Sequence, residues 1–150
     1  MIADTNTIIR TYLITQTELT DLVGGDTPRI YCPRLPENAT LPAVGFFTRG
    51  GLTNPHIEKI VSPSVQFQCW ATDVEVGGVV TSGSIIAREV YRALFTALQG
   101  IQMTDVVVGG TTYSILSAVE EVQGQDLVDA DIENYFNVLS FFEFMIRADT

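Results

Sequence analysis

The feature that most constrains the fold of this chain is a strict alternation of side-chain character over residues 64–71. One set of alternate residues is apolar and comprises Val65, Phe67, Cys69 and Ala71. The other set is polar except for its last member and comprises Gln66, Gln68 and Trp70. A period of two residues indicates a β-strand, and one apolar face is typical of an antiparallel sheet. We therefore predict an antiparallel strand with one covered face, and a neighbouring segment that covers Trp70 on the other face.

Two segments instead show the helical spacing of apolar side chains. Residues 4–23 predict one long helix with a break near Thr15, where a polar run interrupts the spacing. The prolines that follow, up to residue 42, predict extended and irregular chain. After a predicted turn at residues 73–78, residues 79–98 carry a long helical stripe, which Gly100 ends.

Four further segments are predicted to be strands. Residues 29–31 predict a short edge strand, and residues 43–48 and 111–122 predict main strands. Residues 134–146 are apolar on both faces, which predicts a central strand covered on both sides. The order of elements implies an α+β fold, in which an antiparallel (mixed-order) sheet of about four main strands carries two helices packed on one face. The length favours a single domain, residues 1–150.

The composition excludes several classes of protein. The chain has 18 acidic and 8 basic side chains and a formal net charge of −10, so it lacks the basic surplus that charge-based nucleic-acid binders use. Apolar residues make up 46%, too many for a disordered chain. The sequence contains no stretch of about 18 apolar residues, so no membrane span is predicted. Asp4 stands where a signal peptide would carry basic residues. We expect synthesis in the cytosol and burial of the apolar surplus in a core and a subunit interface.

Side chains that could support catalysis or bind a metal are scarce. His56 is the only histidine, which excludes a site built on a pair of histidines. Cys32 and Cys69 are interpreted as reduced, buried residues, although a disulfide forms if their Cα atoms lie within about 7 Å. A cysteine nucleophile would need His56 beside one of them. We predict no catalytic residue, no metal site and no cofactor.

Six acidic residues lie within residues 120–133. They are Glu120, Glu121, Asp126, Asp129, Asp131 and Glu133. A calcium loop requires glycine where Asn134 stands, so calcium binding is not favoured. We interpret the segment as a solvated loop between two strands, and the alternative is an acidic surface with a role in assembly. The candidate surface residues are Asp126, Asp129 and Asp131.

Local patterns spread over most of the chain resemble those of a known family. The N-terminal amphipathic helix ends in Leu22-Val23-Gly24-Gly25, and a proline-bearing lead-in, Leu41-Pro42-Ala43-Val44, opens the first main strand. The remaining patterns are Arg29-Ile30-Tyr31, Gln66-Phe67-Gln68-Cys69-Trp70-Ala71, the helix at residues 87–98 and the terminal strand. In this order the patterns resemble the small tail-terminator (tail-completion) proteins of long-tailed bacteriophages.

The resemblance implies a structural virion protein and not an enzyme. Such proteins form a ring, usually a hexamer, on the end of the tail tube, where the ring stops tube polymerisation and presents a surface to the head. The implied partners are further copies of the chain, the tail tube protein and a head-completion or connector protein. The resemblance also implies that DNA passes through the channel without specific binding and that no membrane is involved. The protein is expected to be made in the host cytoplasm and located in the tail or neck of the virion.

Other functions remain open from the sequence. Related neck, head-completion and tail-tube proteins share this size class, and a soluble homo-oligomeric binding module would also need an apolar surplus. A small enzyme would depend on His56 with Cys32. If the acidic segment lines the channel of a ring, it repels DNA phosphates and discourages DNA from sticking during passage.

A loop predicted at residues 49–59 is the candidate contact with the tube or with a neighbouring subunit. Glycines and Asn54-Pro55 interrupt the strand pattern there, and exposed loops on rigid scaffolds often carry binding sites. The alternative is a hairpin tip without a binding role. The candidate contact residues are Arg49, Leu52, Asn54, His56 and Lys59.

Overall fold

Most of the secondary structure is β-strand in the computed structural model, which describes residues 4–53, 56–128 and 135–148. The helices are α1 (Thr5–Leu13), α2 (Thr17–Thr20) and α3 (Gly83–Leu98). The strands are β1 (Ile30–Tyr31), β2 (Ala43–Thr53), β3 (Ile60–Thr72), β4 (Val74–Val76), β5 (Val79–Thr81), β6 (Thr104–Val108), β7 (Thr111–Val128) and β8 (Tyr135–Ala148).

Six of these strands form one mixed sheet that curves into a half-barrel. Its order is β1-β2-β3-β8-β7-β6, so the predicted short strand at residues 29–31 does lie at an edge. Strand β1 runs parallel to β2, and the other neighbouring pairs are antiparallel. Strands β4 and β5 form a separate antiparallel pair, which we call the ribbon.

The prediction of about four main strands with two packed helices is wrong. The structure has a six-stranded mixed sheet, a two-stranded ribbon and three helices. Strand β6, of five residues, and the ribbon, with two strands of three residues each, are the strands that the sequence analysis does not predict. Helix α3 consequently begins at Gly83, where the Ser82 side chain caps it by accepting a hydrogen bond from the Ser84 N–H at 3.3 Å.

The core lies between the helices and one face of the sheet, which we call the inner face. Helix α1 contacts β1, β2 and β6, whereas α3 contacts β3, β7 and β8. The Phe67 ring stacks on Phe46 at a centroid distance of 5.4 Å and meets the edge of Phe142 at 5.6 Å. Burying one such side chain contributes ~1.5–3 kcal/mol. The largest fully buried side chains are Phe46, Phe67, Phe142, Phe144, Ile8, Ile9, Leu13, Leu19, Ile30, Leu94, Leu98 and Ile115.

The N-terminal helical region is broken where the sequence predicts. Helix α1 ends at Leu13 and α2 begins at Thr17. The hydroxyl of Tyr12 donates a hydrogen bond to the Ala97 carbonyl at 2.5 Å, which ties α1 to the end of α3. None of the helices within the described residues is both long and apolar enough to cross a membrane.

The alternation over residues 64–71 is confirmed as part of β3. Its apolar set is fully buried on the inner face, and its other set is partly exposed on the opposite, outer face. Trp70 lies beside a cavity of about 240 Å³ whose wall is formed mainly by residues 35–41. The proline-rich segment therefore faces Trp70 across this cavity.

Two segments predicted as loops are partly strand. Strand β2 continues to Thr53 through a register shift between Thr48 and Gly51. Gly51 has φ 129°, and a Cβ there would lie 2.2 Å from the Ser62 carbonyl oxygen, so only glycine fits this bulge. Strand β7 continues to Val128, which places the acidic residues up to position 126 on a strand.

Strand β8 is central, as predicted, but its outer face is only partly covered. On the inner face Phe142, Phe144 and Ile146 are fully buried. On the outer face Tyr135 and Met145 remain 38% and 40% exposed. The prediction of a strand covered on both sides is wrong for the outer face, where Tyr135, Glu143 and Met145 are exposed, because α1 and α3 pack against the inner face.

Candidate functional site

A row of apolar side chains runs along the outer face of β7 and β8, and we call it the outer strip. It comprises Val119, Val122, Leu127, Tyr135, Leu139, Phe141 and Met145. Five of these side chains expose between 38% and 52% of their surface, and Leu139 and Phe141 are half-buried. From residue 135 to residue 145 the strip extends over about 33 Å, given ~3.3 Å per strand residue.

Two of the three register shifts in β7 lie between Val119 and Leu127, and they keep its apolar residues on this face. Val119 pairs with Glu143, and after one inserted residue Val122 pairs with Phe141. A second insertion brings Leu127 opposite Asn137. Since successive strand residues point to opposite faces, Val119 and Val122 could not share a face without the inserted residue.

Arg49 lies at the border of the outer strip. Its guanidinium carbon is 5.3 Å from the centroid of the Phe141 ring, a cation–π contact. Its Nη1 also donates a hydrogen bond to Gln66 Oε1 at 3.2 Å. These contacts hold one cation beside the apolar strip, while Glu143 places one carboxylate within it.

The predicted contact residues lie at the end of the β2–β3 hairpin. Arg49 and Leu52 belong to β2, and Leu52 is 74% exposed. His56 and Lys59 are exposed in the connection, and the Lys59 carbonyl accepts a hydrogen bond from the Ala148 N–H at 3.0 Å. Asn54 lies outside the described residues. Within the expected loop, residues 49–53 therefore belong to β2, and residues 56–59 lie outside the strands.

The acidic candidates are not loop residues where the structure describes them. Asp126 lies on β7 and accepts a hydrogen bond from Arg88 Nε at 2.8 Å, with its side chain 63% exposed. This contact raises the pKa of the Arg88 guanidinium, chiefly through the hydrogen bond. Asp129 and Asp131 lie outside the described residues. Asp126 is therefore already paired with a helix within its own chain.

Tyr91 connects α3 to the same part of β7. Its hydroxyl donates to the Glu120 carboxylate and accepts a hydrogen bond from the Gly124 N–H at 3.1 Å. Burial, and then the hydrogen bond with Glu120, raises the pKa of Tyr91 above its usual value. A Cβ on Gly124 would lie 2.7 Å from the Tyr91 ring, so glycine is needed for this close approach. The cluster stabilises the bulged part of β7, and sequence reasoning missed it because its members are 29 to 33 residues apart.

An open groove of about 320 Å³ lies on the outward side of α3. Its walls are formed by Ser84, Ile85, Arg88, Glu89, Arg92 and Asp126. The charges of its two cations and two anions balance, and Arg88 is already paired with Asp126. The groove thus presents a neutral polar surface beside the exposed Ile85, and it brings no nucleophile and base together.

The cysteines are both free thiols. Cys69 is fully buried in β3, and burial raises its pKa to about 12, so it stays protonated at neutral pH. His56 is exposed near the hairpin end, as predicted for a loop histidine. Within the residues that the structure describes, no group of three His, Cys, Asp or Glu side chains is arranged to hold a metal ion.

The ribbon is the exposed element that sequence reasoning missed. All six of its strand residues are exposed, including four valines. A signal for it exists in the sequence, because Gly77-Gly78 between short valine-rich runs is typical of a two-residue hairpin turn.

No protein-family model matches the chain, and a search of curated proteins finds no similar sequence.

Proposed function

We propose that this protein is a structural virion protein of a long-tailed bacteriophage, which forms a ring on the end of the tail tube, ends tube polymerisation and joins the tail to the head. Its partners are further copies of itself, in a ring expected to be a hexamer, the tail tube protein and a head-completion or connector protein. DNA passes through the ring without specific binding.

The outer strip is the observation that carries the proposal. Monomeric proteins rarely expose long contiguous apolar patches, and such patches mark interaction surfaces. Here seven apolar side chains share one face of a rigid sheet. Contact with another protein surface would remove these side chains from water, and a permanent assembly provides such a contact. The family resemblance, carried by the order of local patterns, makes the phage tail the favoured assembly.

The first experiment measures the assembly state of the purified chain. Sedimentation velocity over a range of concentrations is expected to show one closed oligomer, and negative-stain electron microscopy is expected to show rings. A monomer at every concentration, on its own and with tail tubes, would contradict the proposal.

The second experiment places the protein on the virion. Gold-labelled antibody on purified particles is expected at the head–tail junction, and phage without the protein is expected to make tails of uncontrolled length. Label along the whole tail would instead indicate a tube subunit. If the label lies at the junction but phage without the protein make tails of normal length, the protein is another neck protein. If no particle carries label, a virion role is contradicted.

The end of the β2–β3 hairpin is the proposed tube contact. Leu52→Asp changes a side chain that is 74% exposed, so the fold should tolerate it, whereas binding of rings to purified tail tubes should fall. Val107→Asp on β6, 60% exposed, is the matched control and should bind tubes normally. Equal binding by both variants would remove this hairpin from the tube contact.

A further inference from the structure

Beyond the end of β6, strand β7 forms an edge of the sheet. Strand β6 pairs with residues 111–115 of β7, and the Met103 N–H donates one further hydrogen bond to the Leu116 carbonyl. Residues 117–128 have β8 on one side, and no strand within the described residues pairs with them on the other side. A long strand edge carries a row of backbone groups with which a strand of another chain can pair, so such an edge has to be covered or interrupted.

Side chains from α3 and from the residue after it occupy backbone groups of this segment. Gln99 Oε1 accepts a hydrogen bond from the Glu120 N–H at 3.1 Å. The Tyr91 hydroxyl accepts one from the Gly124 N–H at 3.1 Å, and Arg88 Nη2 donates one to the Gly124 carbonyl at 3.2 Å. We call the side chains of Arg88, Tyr91 and Gln99 the clasp. Through the clasp, these backbone groups are bonded to side chains and not to a neighbouring strand.

Further contacts hold the clasp in place. The Tyr91 hydroxyl also donates to the Glu120 carboxylate, and Arg88 Nε donates to Asp126 Oδ1 at 2.8 Å. The Arg88 guanidinium carbon lies 5.6 Å from the centroid of the Tyr91 ring. Arg88 and Tyr91 therefore each hold β7 twice, once through its backbone and once through an acidic side chain.

The clasp acts on the irregular part of β7. The pairing of β7 with β8 is regular at residues 117–120 and 125–128, and both intervening register shifts lie between these stretches. Bulges bend a strand and interrupt its ladder, and natural proteins use them to blunt sheet edges. The clasp fixes the bulged segment against α3, so the bulges and the clasp protect the same part of the edge.

We propose that the clasp is an autoinhibitory contact, which keeps the edge of β7 closed to a strand of a second copy of this chain. Opening the clasp frees two N–H groups and one carbonyl group on a strand that already exposes Val119 and Val122. The freed edge is the same surface on both copies, so two such edges pair antiparallel about a two-fold axis. The inference goes beyond the proposed function, because it concerns an association that the fold prevents.

Hydrogen exchange resolved to single amides measures whether the clasp is formed. In the wild type the amides of Glu120 and Gly124 should exchange about tenfold more slowly than the amide of Gly78, which lies in a turn. Tyr91→Phe should speed exchange chiefly at Gly124, and Gln99→Met chiefly at Glu120, so each variant is the control for the other. Wild-type amides that exchange as fast as that of Gly78 would overturn the inference.

The second experiment removes the clasp. The clasp variant keeps side chains of similar size but removes their bonding groups, with Arg88→Met, Tyr91→Phe and Gln99→Met. The control variant makes the same three changes outside the clasp, with Arg92→Met, Tyr31→Phe and Gln102→Met. Sedimentation velocity should show the clasp variant forming species of about twice the wild-type mass or more, at concentrations at which the wild type and the control variant form none.

Hydrogen exchange on the associated clasp variant then identifies the surface that has paired. Residues 117–128 should be protected again, because a strand of the second copy covers them. Association that protects another part of the chain overturns the inference, and so does a folded clasp variant that associates no more than the wild type.

A milder comparison decides the matter if the clasp variant loses its cooperative thermal transition. Tyr91→Phe alone keeps the ring, and it should associate in the same way but more weakly, whereas Tyr31→Phe should not. Equal behaviour of these two single variants overturns the inference. None of these outcomes depends on whether the wild type forms a ring, so the inference and the proposed function fail separately.

Discussion

The two faces of β8 are alike in sequence and differ in environment. Phe142 and Phe144 on the inner face are fully buried under α3 and the neighbouring aromatic rings. Phe141 and Met145 on the outer face are left partly in water, and Arg49 lies across the Phe141 ring. Apolar residues of the same kind therefore stabilise the fold on the inner face and remain available for assembly on the outer face. Apolar content alone does not distinguish a core from an interface, because both require removal from water.

The largest effect on stability is expected when the adjacent residues Phe142 and Phe141 are substituted in turn. Phe142→Ala removes a fully buried ring and should lower the free energy of unfolding by about 3–5 kcal/mol, since a cavity adds to the lost burial. Phe141→Ala should cost about 1 kcal/mol in the monomer, and its main effect should be on assembly. Urea unfolding below the concentration at which copies associate measures both. Equal losses of stability would mean that the outer face is part of the folding core.

Cys69 provides a pH test of the inner face of β3. Its pKa is raised by burial from 9.0 to about 12, so above pH 9 the unfolded chain loses a proton that the folded chain keeps. Stability is therefore fully present below pH 9 and falls as pH rises, by up to about 1.4 kcal/mol per pH unit. Cys69→Ala should be less stable than the wild type at pH 7, and the difference should shrink by about 2–3 kcal/mol at pH 11.

The matched thiol variant is Cys32→Ala, because Cys32 is only half-buried. The difference between this variant and the wild type should change less with pH. A constant difference for Cys69→Ala between pH 7 and pH 11 would show that its thiol reaches solvent, so that the inner face is open there.

Gly124 tests how tightly α3 packs on the bulged part of β7. Gly124→Ala would bring a methyl group 2.7 Å from the Tyr91 ring and 2.8 Å from Val138, so we expect a loss of about 1–3 kcal/mol. Gly45→Ala is the control, since its Cβ would lie at ordinary contact distance, 3.6 Å from Leu35 N. Thermal unfolding compares the two variants, and equal midpoints would argue against a close contact between Tyr91 and Gly124.

The smallest effect on stability is expected at the acidic residues. Asp126→Asn breaks an exposed ion pair with Arg88 and should cost less than about 1 kcal/mol. Neutralising Asp126, Asp129 and Asp131 together should leave ring formation intact and alter DNA retention or ejection from phage particles. Unchanged ejection by the triple variant would count against a position of these residues in the channel.

The sequence predicted elements whose pattern is local. The alternation over residues 64–71, the helix break near Thr15 and the short edge strand at residues 29–31 are all present in the structure. Prediction from the sequence failed where the conformation of a segment depends on a partner that is distant along the chain. Glu120 and Asp126 have low strand propensity, yet they lie on β7 because β8 pairs with it and because Tyr91 and Arg88 contact their carboxylates.

The sequence by itself determined that β3 has one apolar face, that the terminal strand is apolar on both faces, and that the chain is strongly acidic. These properties belong to single segments or to the whole composition. Only the tertiary structure decided which face of β8 the helices cover, that residues 74–81 form an exposed ribbon, and that Arg49 lies at the border of the outer strip. The physical reason is that a strand exposes a face only when no other element packs on it, and that choice depends on the whole arrangement of helices and strands.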